Sequence, residues 1–255
     1  MMDLAFYAVA VPAVLLCGVS KGGLSGFGAL AVPTLAMVVP PAQAVGVMLP
    51  ILCLMDLFGL WAYRSWWDRS RMGVLLCGGL LGILAGTLAF DHLSDDTVRV
   101  AIGINAVLFG LNHWLRPLYR RQAAAAALPS LPKGLFWSGL SGFSSFLAHA
   151  GSPPLLVYLL PQRLQKMQLA GTTVVFFGAV NFAKLGPYVW LGQIDLVNLA
   201  QAAALAPLAP VGIWAGIWLI RRLPADRFYQ FSHLLLVVTG GKLFRDGLVG
   251  LGVLG

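Results

Sequence analysis

Apolar runs recur along the whole chain. They fall at about 4–19, 29–39, 42–63, 72–91 and 97–115, and again at 134–150, 153–161, 168–191, 196–220 and 227–254. Most approach the roughly 20 residues that carry a helix across a hydrocarbon core. They are continuous rather than alternating, so they predict helices and not the strands of a membrane barrel. Two runs, 29–39 and 153–161, are too short to cross straight. Each follows a stretch rich in glycine, serine or proline, which predicts re-entrant or half helices packed inside protein.

Between the two sets lies "RPLYRRQAAAAALPSLPK", residues 116–133, basic, alanine-rich and broken by proline. It reads as a cytoplasmic linker between units 1–115 and 134–255. The loops 63–72, 116–122 and 220–227 are rich in Arg, whereas 90–96 and 191–195 carry no Lys or Arg. The basic loops are expected inside and the others outside. Segment 42–63 then runs inward and 168–191 outward. Short matches link the halves: "GILAG" at 82–86 with "GIWAG" at 212–216, Gly46 with Gly171, Asp56 with Asn181, and the region around Gly28 with that around Ser152. Matching segments of opposite direction predict two inverted repeats of four to five helical segments each, a plan common in secondary transporters.

Composition supports the membrane reading. Of 255 residues, 59% are hydrophobic and 10% charged, against about 25% charged in a soluble domain. The expected fold class is an all-α polytopic membrane protein. The formal charge of +8 does not indicate nucleic acid, because the cations sit mostly in short loops and no basic stripe with interleaved aromatics occurs. Cys17, Cys53 and Cys77 lie in apolar runs without CxxC spacing and read as small hydrophobes rather than metal ligands or disulfides. The N-terminus lacks the positive region of a cleaved signal peptide, so the first run is expected to persist. Trp66, Trp67, Trp114 and Trp190 fall at segment ends, as an aromatic belt does. No HExxH, GxSxG or Walker-type pattern is present, so no enzyme, cofactor or metal site is expected.

Candidate chemistry gathers at the two breaks. The first, "GVSKGGLSGFG", holds Lys21, a cation directly after an apolar run. Its glycines suit close helix packing, but Lys21 must reach an interface or a polar cavity. The second, "SFLAHAGSPPLLVY", holds His149 ahead of Gly151, Ser152, Pro153 and Pro154. Proline stops the first helix and can begin another, whose positive end would face an anion. Asp56 lies deep in its segment, and Asn181 and Lys184 occupy the matching helix. Asp56 is a candidate carrier of a proton or sodium ion, or equally a counter-ion for Lys21 or Lys184. Thr172 and Thr173 could donate to an anion, or bond back to their own helix. Asn105 and Gln201 read as helix–helix contacts.

The stretches 18–64 and 141–188 resemble the two half-motifs of the TauE/SafE family, also called the toluenesulfonate uptake permease family. The likeness covers nearly the whole chain. It implies a secondary carrier, chiefly an exporter, of small sulfur-containing anions such as sulfite, sulfoacetate or organosulfonates, in the bacterial cytoplasmic (inner) membrane. The family's glycine-rich motifs fall on Gly22–Pro33 and Ala148–Pro154. Many members carry a Gly-Gly-Gly run in each half; this chain has Gly26-Phe27-Gly28 and Ala150-Gly151-Ser152 instead. The expected substrate site joins Lys21, Gly22, Gly23, Ser25, Gly26 and Gly28 from the first break. From the second half it takes Ser144, His149, Gly151, Ser152, Pro153, Thr172, Thr173, Asn181 and Lys184, with Asp56 for ion coupling. Alternating access is the expected mechanism; the alternatives are an anion channel of the same fold or a carrier of a non-sulfur organic anion. The coupling ion and the oligomeric state, a homodimer included, stay open.

Overall fold

The computed structural model describes residues 4–22, 27–90, 92–120, 129–220 and 225–254. Among them the chain is helical, with no strand. The first half contains α1 (Leu4–Lys21), α2 (Ala31–Leu35), α3 (Pro41–Tyr63), α4 (Arg69–Phe90) and α5 (Asp95–Arg120). The second contains α6 (Leu131–Ala148), α7 (Ser152–Leu159), α8 (Lys166–Trp190), α9 (Leu196–Leu205), α10 (Leu208–Ile220) and α11 (Ala225–Gly250). Four single helices (α1, α3, α4 and α8) are long and apolar enough to cross a membrane, and α9 with α10 makes a fifth, bent candidate.

Local chemistry explains most boundaries. Pro41 opens α3 at its first position, where a missing N–H costs nothing. Asp195 caps α9 by accepting the Asn198 N–H at 2.6 Å, and Ser94 accepts the Thr97 N–H at the start of α5. The run 196–220, expected as one segment, is two helices bent by 42°. Pro207 and Pro210 remove two N–H donors within four residues there. The short runs behave as expected: α2 has five residues and α7 eight. At ~1.5 Å per residue, neither could cross a core of ~30 Å. Helix α5 continues to Arg120 and α6 begins at Leu131, so both enter the stretch 116–133; residues 121–128 lie outside the described set.

Packing is reciprocal between the halves. The pair α1/α10 is matched by α6/α4, while α3 packs on α8 and α5 on α11. Both crossings of the first kind depend on missing side chains. A Cβ on Gly18 would stand 2.7 Å from the Gly212 Cα, and one on Gly82 would stand 2.0 Å from the Gly139 carbonyl oxygen. These are the "GIWAG" and "GILAG" glycines, and close backbone approach is their use. The loop after α3 lays the Trp66 carbonyl over Gly171 at the start of α8. The loop after α8 lays the Gln193 carbonyl over Gly46 at the start of α3. Hence α3 and α8 run antiparallel, as the loop charges predict. Every one of these contacts is compatible with an inverted repeat.

Candidate functional site

Asp56 and Asn181 sit equally far along their helices, each fifteen residues after the starts of α3 and α8 at Pro41 and Lys166. The antiparallel helices are packed in a register that brings the two together. The Asn181 Nδ2 donates to Asp56 Oδ2 at 2.6 Å. The other carboxylate oxygen is paired with Lys21, the last residue of α1. The Asp56 side chain is fully buried, whereas that of Lys21 is 25% exposed. Of the alternatives open for Asp56 in the sequence, its geometry is that of a counter-ion to Lys21. Only one of the three ammonium N–H groups of Lys21 is used by Asp56.

The second break is built around His149, which closes α6 in the left-handed conformation, φ 51° and ψ 25°, with its N–H on the Ser145 carbonyl. This backbone position is uncommon for a residue with a Cβ. The ring is held on both sides. Its Nδ1 is 2.8 Å from Lys184 Nζ, and its Nε2 is 2.9 Å from the Val45 carbonyl of α3. With Lys184 an ammonium, Nδ1 is the acceptor and Nε2–H the donor, which assigns the neutral tautomer. Lys184 also donates to the Ser145 carbonyl at 2.9 Å and the Ser145 hydroxyl at 3.0 Å. All three of its N–H groups are therefore satisfied by neutral acceptors, and the residue is fully buried.

The two breaks meet across a cavity of about 100 Å³. On the same measure a water needs roughly 10–15 Å³, so the space suits a few waters or a small anion. Its polar wall comprises Lys21 and Ser20 from the first break, Ser145, His149 and Ser152 from the second, and Asn181 between them. Apolar groups, among them Met48, Phe109 and Phe177, complete it. The Ser20 and Ser152 hydroxyls have no hydrogen-bond partner among the described residues and face this space.

Other expected site residues fall differently. Gly28 and Pro153 line the cavity. Gly151 is buried against Ser141, whose hydroxyl donates to the Gly151 carbonyl at 2.6 Å. Gly22 packs against Ile213 and Gly216 of α10. Helix α7 begins at Ser152, with the prolines at its second and third positions. Neither proline has an N–H, so the first turn offers an anion Ser152 and little more. Thr172 and Thr173 are not in the wall: Thr172 accepts the Asp68 N–H at 2.9 Å, and Thr173 bonds back to the Leu169 carbonyl at 2.8 Å. Ser144 points into a different, apolar cavity of about 570 Å³ between α5, α6 and α7. Gly23, Ser25 and Gly26 lie outside the described residues.

Sequence reading missed Ser20 and Ser145. Ser141, Ser145 and His149 are spaced four apart and so share a helix face, a signal that would have selected Ser145 over Ser144. It also missed Asp68, buried directly before α4. Asp68 pairs with Arg71 and accepts from the Ser70 hydroxyl and the Arg71 N–H. Arg71 in turn donates to Gln162 at 2.6 Å. With Gln168 and Thr172, which also bond to Asp68, this network ties the starts of α4 and α8 to the turn after α7. No group of His, Cys, Asp or Glu suited to a metal ion occurs among the described residues.

Comparison with known proteins gives one finding. A family model described as "Sulfite exporter TauE/SafE" matches residues 10–243. No curated protein and no solved structure matches significantly.

Proposed function

Since the chain belongs to the TauE/SafE sulfite exporter family, and is thereby a multi-pass membrane transporter of the sulfite-exporter type, we propose how it handles its substrate. It is a secondary carrier in a bacterial cytoplasmic membrane that binds a small sulfur-containing anion in the cavity between the two breaks. The observation that carries this is the set of unspent donors there: two N–H groups of Lys21 and the hydroxyls of Ser20 and Ser152. Tetrahedral and pyramidal sulfur oxyanions present three oxygens that each accept hydrogen bonds. Donors from opposite sides of a small, mostly apolar chamber can hold such a group while Asn181 and Asp56 fix the lysine. The breaks belong to different helix pairs, α1/α10 and α6/α4, so relative motion of those pairs would open the cavity to one side or the other.

The test is counterflow in proteoliposomes. Vesicles loaded with unlabelled sulfite should accumulate labelled sulfite transiently, as a carrier does and a channel does not. The Ser20→Ala/Ser152→Ala pair should raise the half-saturating concentration about a hundred-fold or more, since each lost hydrogen bond to a charged group is worth ~1.5–3 kcal/mol. Counterflow unchanged in that variant would remove the cavity from the pathway.

A further inference from the structure

Building on the carrier reading, we infer that the apolar cavity between α5, α6 and α7 is a second subsite. It receives the uncharged organic tail of a sulfonate whose head occupies the polar cavity. The polar cavity, at about 100 Å³, has room for a few waters or a small anion and none for an organic group. The apolar one has about 570 Å³. The two adjoin. Phe109 of α5 and Pro153 of α7 stand in both walls, so these side chains are the partition between them. A substrate that extends past that partition from its sulfonate enters the apolar space.

The wall of that space selects what can enter. Among the described residues it contains no Lys, Arg, His, Asp or Glu, so a second charge there would have no partner and little water. Apart from the Trp137 indole, its polar side chains are Asn105 and Ser144, and neither has a hydrogen-bond partner among the described residues. A lipid chain seated there permanently would leave both unsatisfied, which costs free energy. A tail that comes and goes lets water reach them between visits. The rest of the wall is hydrocarbon. On α6, Ala148, Ser144, Leu140 and Trp137 follow one another at three or four residues and form one stripe. The stripe leads away from the break for about 16 Å, at ~1.5 Å per residue. Val157, four residues after Pro153, continues the same face of α7. The space thus begins at the anion site and extends along the helices, a shape that suits an alkyl or aryl tail.

The test is competition against labelled sulfite in counterflow, with alkanesulfonates from methane- to hexanesulfonate. A fully buried methylene is worth about four-fold in affinity. In a groove open along one side each should give about two-fold or more, so hexanesulfonate should compete at least about thirty-fold better than methanesulfonate. Sulfoacetate sets a carboxylate where ethanesulfonate has its methyl group, and should compete at least about ten-fold less well than ethanesulfonate. Val157→Trp fills the groove one turn beyond Pro153, and Leu108→Trp fills it from α5. Both side chains are exposed, so a larger ring fits there without disturbing the core. Each variant should bring the hexane-to-methane ratio below about five, because the methylenes lose their place of burial. Equal competition along the series, or a chain-length gain that survives both variants, overturns the tail subsite, assigns the groove to membrane lipid and leaves the carrier reading intact. A protein that exchanges neither sulfite nor any sulfonate overturns the carrier reading and this inference together.

Discussion

Removing the cation from the Lys21–Asp56 pair should cost far more than removing the anion. In Lys21→Met the Asp56 carboxylate, fully buried, keeps only Asn181 as a partner. Leaving one member of a buried pair unpaired costs ~3–5 kcal/mol, and the quarter exposure of the Lys21 side chain argues for the lower figure, about 3 kcal/mol. For a chain of this size ~1 kcal/mol corresponds to about 2–4 °C, so the melting temperature should fall by about 6–12 °C. In Asp56→Asn the orphan is Lys21, which can turn into the cavity and stay hydrated, and Asn181 keeps an acceptor. The expected fall is under about 4 °C, or ~1 kcal/mol. The double variant should recover most of the loss seen in Lys21→Met, because the uncompensated carboxylate is gone. Thermal unfolding in one detergent, followed by tryptophan fluorescence, measures all four proteins. Equal losses in the two single variants, or a double variant no better than Lys21→Met, would refute the pairing and with it the placement of Lys21 at the cavity.

The α4/α6 crossing predicts that Gly82→Val unfolds or fails to assemble, since even a Cβ there meets the Gly139 carbonyl at 2.0 Å. Gly73→Ala, on the same helix with nothing within 4 Å, should gain about 0.5–1 kcal/mol from helix propensity; yield and melting temperature distinguish them. His149→Asn should keep the left-handed helix end that Asn tolerates, yet lose sulfite counterflow because Lys184 and Val45 lose their shared bridge; circular dichroism against flux separates fold from function. Asp68→Ala strips the start of α4 of its acceptor and frees Arg71, so it should lower stability by ~1–2 kcal/mol, read as a fall in the denaturation midpoint.

Sequence reached the fold where burial and backbone chemistry coincide. Continuous apolar runs located most helices, because no other structure hides its backbone in hydrocarbon. Prolines and glycines located the breaks, because they act locally. The matching positions of Asp56 and Asn181 were legible as an offset between halves, whereas their hydrogen bond was not. Which serine faces the cavity turned on ~100° of helix rotation between Ser144 and Ser145, a phase carried only by the four-residue spacing of Ser145 and His149. The division of 196–220 was missed because α9 and α10 are both apolar, and a proline inside an apolar run bends some helices and ends others. Thr172 looked available because its partner, the Asp68 N–H, lies 104 residues away.

The helices that touch most intimately are not neighbours in the chain. Helix α1 closes on α10, α4 on α6, and the α3 and α8 loops each rest on the other's glycine. The chain is thus laced rather than bisected: cutting it at the linker would yield two pieces, each lacking the surface against which it packs. On the proposed carrier mechanism, bodies that move as units would each contain helices from both halves. The seam between the two halves of the sequence is thus not the seam along which the helices pack.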